Sequence, residues 1–125
     1  MVITEMDNIE IRRVNKSFLK DEKIGTLIYS KIGHYFQIDA FCVAKDYRCQ
    51  GNGRAMIEQL KTLAQDDADI QWIQVYPKSE DQLTDELISN SELNMVYEKY
   101  GFNDKASDFD YDKPNQLMKM HIDRK

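Results

Sequence analysis

Apolar and polar positions fall into a few periodic stretches along the chain. Ile38 to Val43 is an apolar run of strand length, and from Ala55 to Ala64 apolar residues recur at helical spacing. Upstream, Lys23 to Lys31 holds Ile24, Leu27, Ile28 and Tyr29, and Gly33 marks a turn into His34–Val43, so the two runs read as a hairpin. In its second strand Gln37, Asp39, Phe41 and Val43 alternate with Ile38, Ala40 and Cys42, which predicts one set on each face. The helix places Met56, Leu60, Leu63 and Ala64 on one stripe, helped by Ile57, and Gln65-Asp66-Asp67 ends it. Ile70 to Tyr76 is a nearly continuous apolar strand with Trp72 as a core residue, and Pro77 stops it. Strand, crossover helix and strand predict a right-handed parallel unit.

The remainder is less regular. Ile9, Ile11 and Val14 suggest a short strand, followed by a polar turn from Lys16 to Lys23. Lys78 to Thr84 is loop-like, and Asp85 to Tyr100 reads as a helix with Leu87, Ile88, Leu93, Val96, Tyr97 and Tyr100 inward. Gly101 is a natural C-cap, and Phe102 opens a short strand. An acidic stretch from Asp104 to Asp112 precedes a closing strand over Gln116–Ile122, where Met118, Met120 and Ile122 alternate with Leu117, Lys119 and His121. The layout is mixed α/β, α+β in its segregation, in one domain spanning 1–125.

Composition narrows the classes. A hydrophobic fraction of 42% and a charged fraction of 31% are ordinary for a globular domain. No run approaches membrane-spanning length and no secretory signal pattern opens the chain, so no membrane partner and a cytoplasmic location are expected. Cys42 and Cys49 lack metal-type spacing, and His34 and His121 show no metal pattern, so no metal is expected and the thiols are read as reduced. A net charge of −5 argues against a nucleic-acid partner and suits a basic protein, although acidic excess also serves solubility alone.

The chemistry concentrates at the joint between the apolar strand and the helix. There Arg48-Cys49-Gln50-Gly51-Asn52-Gly53-Arg54 sets two glycines one residue apart between two arginines. A strand entering a helix through such a loop points backbone N–H groups outward, where the helix dipole favours an anion. Without a Cβ at Gly51 or Gly53 a bulky anion can approach closely, and a nest flanked by Arg48 and Arg54 suits a pyrophosphate. A plain strand–helix turn is an equal alternative for the glycine pair on its own. No Gly-Lys-Ser/Thr is present, and Met56 stands where a third dinucleotide-type glycine would fall.

A second segment lies about forty residues on: Tyr97-Glu98-Lys99-Tyr100-Gly101-Phe102, with Asn90 seven residues before Tyr97. Together the two segments resemble the GCN5-related N-acetyltransferase (GNAT) superfamily, with its Arg/Gln-x-x-Gly-x-Gly/Ala loop and its Tyr-Glu-Lys-x-Gly-Phe helix end. Arg48, Gly51 and Gly53 match the first motif; Tyr97, Glu98, Lys99, Gly101 and Phe102 match the second. The resemblance covers roughly Lys23 to Ile122. It implies a GNAT fold: one central mixed sheet, flanked by helices, with a V-shaped splay between the family's strands 4 and 5. Only about twenty residues precede the matched part, so the N-terminal helices are expected to be reduced or absent. The chain therefore looks like a miniature, phage-type member with a shortened N-terminal part. Tyr76-Pro77 and the polar Lys78-Ser79-Glu80-Asp81 fit that layout.

The resemblance implies acetyl-CoA as co-substrate. Its pyrophosphate would rest on the N–H groups from Cys49 through Gln50, Gly51, Asn52 and Gly53 to Arg54. Its pantetheine arm would pair with the main chain of Phe41, Cys42 and Val43, the Val43 N–H polarising the thioester carbonyl. Tyr97 would protonate the departing thiolate, since a tyrosine keeps its proton at neutral pH. Asp39 would act as base toward an amine that is otherwise charged, and Gln37 would orient a water. An aspartate that caps a neighbouring loop or pairs with a lysine is the alternative for Asp39. Asn90 joins the cofactor set by its place in the motif, while Lys99 either meets a CoA phosphate or is simply solvated. The implied activity is direct acetyl transfer to an amine, a protein lysine or N-terminus, possessed of no covalent acetyl-enzyme. A catalytically silent GNAT-fold module that occludes a protein partner is the alternative, and an open sheet end is compatible with a homodimer.

Overall fold

The computed structural model describes residues 4–15, 20–43, 51–77 and 89–123 of the 125-residue chain. Five strands and two helices follow in the order β1 (Thr4–Asn15), β2 (Lys20–Ile32), β3 (Tyr35–Val43), α1 (Asn52–Asp66), β4 (Trp72–Val75), α2 (Asn90–Tyr100) and β5 (Met118–His121). The strands form one sheet in sequential order, antiparallel everywhere except between β3 and β4. That parallel pair is joined by α1, the strand–helix–strand unit read from the sequence. Among the described residues no helix precedes β3, so the reduced front of the chain is a sheet edge.

Both helices cover the same face. Met56 of α1 reaches Gly25 so closely that a Cβ there would stand 2.8 Å from its Cε. This puts α1 on the side of Leu27, Tyr29 and Ile38, all buried. Gly53 at the start of α1 meets Tyr100 at the end of α2, and Gly101 meets Met120 of β5. The core lies in this layer, where Met56, Ile57, Leu60 and Ala64 pack with Ile73, Val75, Met118 and Phe102. Leu63, expected on the stripe, is 42% exposed because it lies at the stripe's margin. On the opposite face Tyr35 and Trp72 stack with centroids 5.0 Å apart, and Lys119 lies 4.9 Å from the indole centre. Trp72 is thus half-buried rather than a core residue.

Several boundaries moved for identifiable reasons. β1 is a 12-residue strand rather than a short one, and β2 starts at Lys20 inside the expected polar turn. Ladder pairing continues from Ile11 to Asn15 through a register shift and carries polar residues with it. α2 starts at Asn90, because Ser89 is its N-cap and accepts from the Glu92 N–H at 3.2 Å. Ser89 thus begins the helix as a cap in the extended conformation, and residues 85–88 of the expected helix, with Leu87 and Ile88, lie outside the described residues. β4 is trimmed to Trp72–Val75, and the strand expected at Phe102 is reduced to one bridge, Asp104 to Lys119. Gly101 caps α2 in the left-handed conformation as expected, with φ 115°.

Candidate functional site

The centre of β3 departs from simple alternation. Ile28 pairs with Ala40 and the adjacent Tyr29 pairs with Ile38, which leaves Asp39 as the extra residue of a β-bulge. The bulge resets the faces. Gln37 sits opposite Ser30, whereas Phe41 sits opposite Leu27 on the helix-covered side. Phe41 and Asp39, expected on one face, therefore lie on different ones. The Asp39 carboxylate accepts a hydrogen bond from the Ser30 hydroxyl on the adjacent strand, a partner that is neither a loop nor a lysine.

The bulge coincides with the end of the β3–β4 ladder. Its last pair is Ile38 with Val75, after which β3 continues to Val43 while β4 stops before Pro77. Among the described residues the β4 side of Asp39–Val43 has no strand partner. A bulge bends its strand and increases the local twist, and the β3–β4 ladder ends at the residue before it. Edge donors and acceptors left this way are suited to pairing with an extended ligand.

At the far end of this edge stands the first turn of α1. Gly51 precedes the helix with φ 83°, a conformation glycine adopts without penalty, and nothing lies within 4 Å of its missing Cβ. It brings no side chain to cap the helix, and no acidic residue occupies the first turn. α2, by contrast, has both a serine cap and Glu92. Within its own first turn α1 thus offers its positive dipole end no acidic side chain, which suits an anion site. Gly53 serves differently: a Cβ would stand 2.5 Å from Tyr100 Oη and 3.1 Å from Phe41 Cζ, so its absence lets both rings pack against the helix start.

Phe41, Tyr97, Tyr100 and Phe102 form an aromatic wall under that terminus. Tyr97 has centroid distances of 5.8 Å to Phe41, 6.4 Å to Tyr100 and 5.5 Å to Phe102, and is 3% exposed. Arg54 lies 5.4 Å from the Tyr100 ring centre and donates to the Lys99 carbonyl at 3.4 Å. A guanidinium has five donors, so this single bond leaves capacity for an anion. Lys99 is exposed in the last turn of α2, where a cation complements the dipole. Asn90 opens α2, about 10 Å along the axis from Tyr97. Arg48, Cys49 and Gln50 lie outside the described residues, and Cys42 is a half-buried free thiol on β3. Asn52 is the first helical residue.

The second motif also does structural work that sequence reasoning missed. Glu98 accepts from the Tyr111 hydroxyl and pairs with Lys105 at 3.1 Å. Buried Asn94 donates to the carbonyls of Tyr111 and Lys113 at 2.8 and 3.1 Å. α2 thereby holds the acidic segment before β5. A buried polar Asn94 on an otherwise apolar face was the available signal. The two histidines are locally engaged, His34 with the Asp69 carbonyl and His121 with Asp104. Among the described residues no group of three or more His, Cys, Asp or Glu side chains can hold a metal, and no helix is long and apolar enough to cross a membrane.

Comparison with known proteins agrees with this geometry. The family model described as an acetyltransferase (GNAT) domain matches residues 13–104. Among solved structures, the anti-CRISPR protein AcrVA5 is 24% identical with a TM-score of 0.64, over 91% of this chain and 96% of that one. Tetrahymena GCN5 is 18% identical with a TM-score of 0.61, over 94% and 69%. An acetyltransferase from Bacillus cereus ATCC 14579 is 14% identical with a TM-score of 0.61, over 93% and 74%. No curated protein matches the chain. The bulged, splayed strand and the glycine-led helix are thus the local form of a shared architecture, and the chain belongs to the GNAT acetyltransferase superfamily, whose common chemistry is acetyl transfer.

Proposed function

We propose that this protein transfers the acetyl group of acetyl-CoA directly to an amine, with a protein lysine or N-terminal amine as the acceptor. The observation that carries this reading is the open β3 edge beside the glycine-led start of α1, where a Cβ on Gly53 would stand 3.1 Å from Phe41 Cζ. An extended pantetheine fits the first and a pyrophosphate the second. Gly51, Asn52, Gly53 and Arg54 would hold the pyrophosphate together with Arg48, Cys49 and Gln50. Phe41, Cys42 and Val43 would hold the arm, with Asn90 and Lys99 as further contacts. When bound, acetyl-CoA supplies an activated thioester.

The chain's own residues divide the proton work. Asp39 lies on the open face of β3 and Tyr97 on the helix-covered face, with the splayed edge between them. Base and acid on opposite sides of one strand suit an amine entering from one side and a thiolate leaving on the other. An N–H at Val43 would stabilise the developing oxyanion. The protein acceptor is favoured by the acidic balance of −5, which suits a basic partner surface.

Calorimetry with acetyl-CoA and thiol release in the presence of amine acceptors test the reading. Tyr97→Phe is expected to bind acetyl-CoA normally and to lose about 10²-fold or more in turnover. Equal turnover in the variant removes Tyr97 from the mechanism. Binding without thiol release from any amine would favour an occluding module over an enzyme.

A further inference from the structure

The bulge at Asp39 leaves a carboxylate on a bent, unpaired residue of a strand whose neighbouring edge is open. A base in such a position gains nothing from the ladder to fix its orientation. The side chain that does fix it is Ser30, on the adjacent β2 and only 3% exposed, whose hydroxyl donates to Asp39 Oδ2. Ser30 stands directly opposite Gln37, and Gln37 accepts from Gln74 Nε2 at 3.1 Å. Gln74 in turn accepts from Trp72 Nε1 at 2.9 Å. A polar row therefore crosses β4, β3 and β2 on the face without helices, and Asp39 is its ionisable member. Buried serine hydroxyls are costly unless bonded, and this one is bonded to the bulge residue itself.

We propose that Ser30 is a positioning residue for acetyl transfer, holding Asp39 in the rotamer that receives the acceptor's proton. This rests on the assignment of Asp39 as base. With one oxygen of the carboxylate engaged by Ser30, the other keeps its lone pairs for the amine or an intervening water. Removing the hydroxyl frees the carboxylate to rotate and slows the proton transfer without altering any residue proposed to hold the cofactor.

The test is a kinetic cycle with Nα-acetyl-lysine methylamide as acceptor, using wild type, Ser30→Ala, Ser30→Thr, Asp39→Asn and the Ser30→Ala/Asp39→Asn double variant. Ser30→Ala is expected to lower kcat about tenfold while the KM for acetyl-CoA and the calorimetric affinity stay at wild-type values. Ser30→Thr, which keeps the hydroxyl, should restore most of kcat. In the Asp39→Asn background, Ser30→Ala should cost nothing further, because residues that act through one another are not additive. A fully active Ser30→Ala beside an inactive Asp39→Asn overturns the role of Ser30 and leaves the base assigned. A fully active Asp39→Asn overturns the base and the positioning role together. Wild type that binds acetyl-CoA yet never acetylates the probe counts against both.

Discussion

Single residues here are constrained mostly by what their neighbours need. Gly53 is a case where the reason is contact rather than conformation, since it sits inside a regular helix. Gly53→Ala would set a methyl 2.5 Å from Tyr100 Oη and 3.1 Å from Phe41 Cζ. The expected cost is about 1–3 kcal/mol of stability, the usual range for overpacking. Tyr100→Phe removes the nearest atom, so the double variant should lose less than the sum of the singles, by about 1 kcal/mol in a denaturant-melt cycle. Strict additivity would mean the ring moves aside freely. Thr26 is the opposite case: it is 5% exposed, and among the described residues its buried hydroxyl has no hydrogen-bond partner. Thr26→Val keeps the shape and removes the orphan group, so it should raise stability by about 1 kcal/mol and shift the melt upward. A lower melting temperature would show the hydroxyl to be in use. Neither effect was legible in the sequence, because both depend on residues far away in the chain.

At the scale of elements, α2 and the segment after it act as one unit through Glu98. Its carboxyl lies below its ordinary value of 4.5, chiefly because Tyr111 donates to it, with Lys105 adding to the effect. The same contacts raise Lys105 above 10.5 and Tyr111 above 10.0, in each case first through the bond to Glu98. The signs follow. Glu98 contributes stability that is complete above pH 4.5 and lost as pH falls through its lowered value. Lys105 and Tyr111 contribute stability below their ordinary values that is lost as pH rises through the raised ones. Glu98→Gln should therefore lower the centre of a melting-temperature profile most and its acid and alkaline ends least, flattening both limbs. An unchanged profile would show that the segment is held by Asn94 alone. Elements whose signals are local were readable in advance: the periodicity of Met56, Ile57, Leu60 and Ala64, the stop at Pro77 and the cap at Gly101. The start of α2 was readable in principle from Ser89 and Glu92. The length of β1 and the bulge at Asp39 were not, because ladder pairing belongs to two strands at once. A single inserted residue then reversed the face assigned to Phe41.

For the whole molecule, the decisive feature is how little ladder joins the two parts of the sheet. β3 and β4 share only the pairs from Tyr35–Trp72 to Ile38–Val75, while β1, β2 and β3 are paired over most of their lengths. The glycine motif was legible as an anion site, but the open edge beside it became visible only with that short ladder. A ligand strand laid along Asp39–Val43, anchored at Gly51 and reaching toward β4, would tie together the parts that the protein leaves apart. Acetyl-CoA should therefore stabilise the fold globally and protect a defined stretch locally. At about a hundredfold its dissociation constant it would add about 2.7 kcal/mol, a melting-temperature rise on the order of 10 °C for a domain of this size. In hydrogen exchange, the amides between Asp39 and Val43 that point away from β2 should slow by the same free energy, while those of β1 should gain only from the global term. A thermal shift without that local protection would put the cofactor elsewhere on the molecule. Protection at β3 in the wild type with a lost thermal shift in a folded Arg54→Glu variant would show that the strand edge binds the arm while the start of α1 holds the diphosphate.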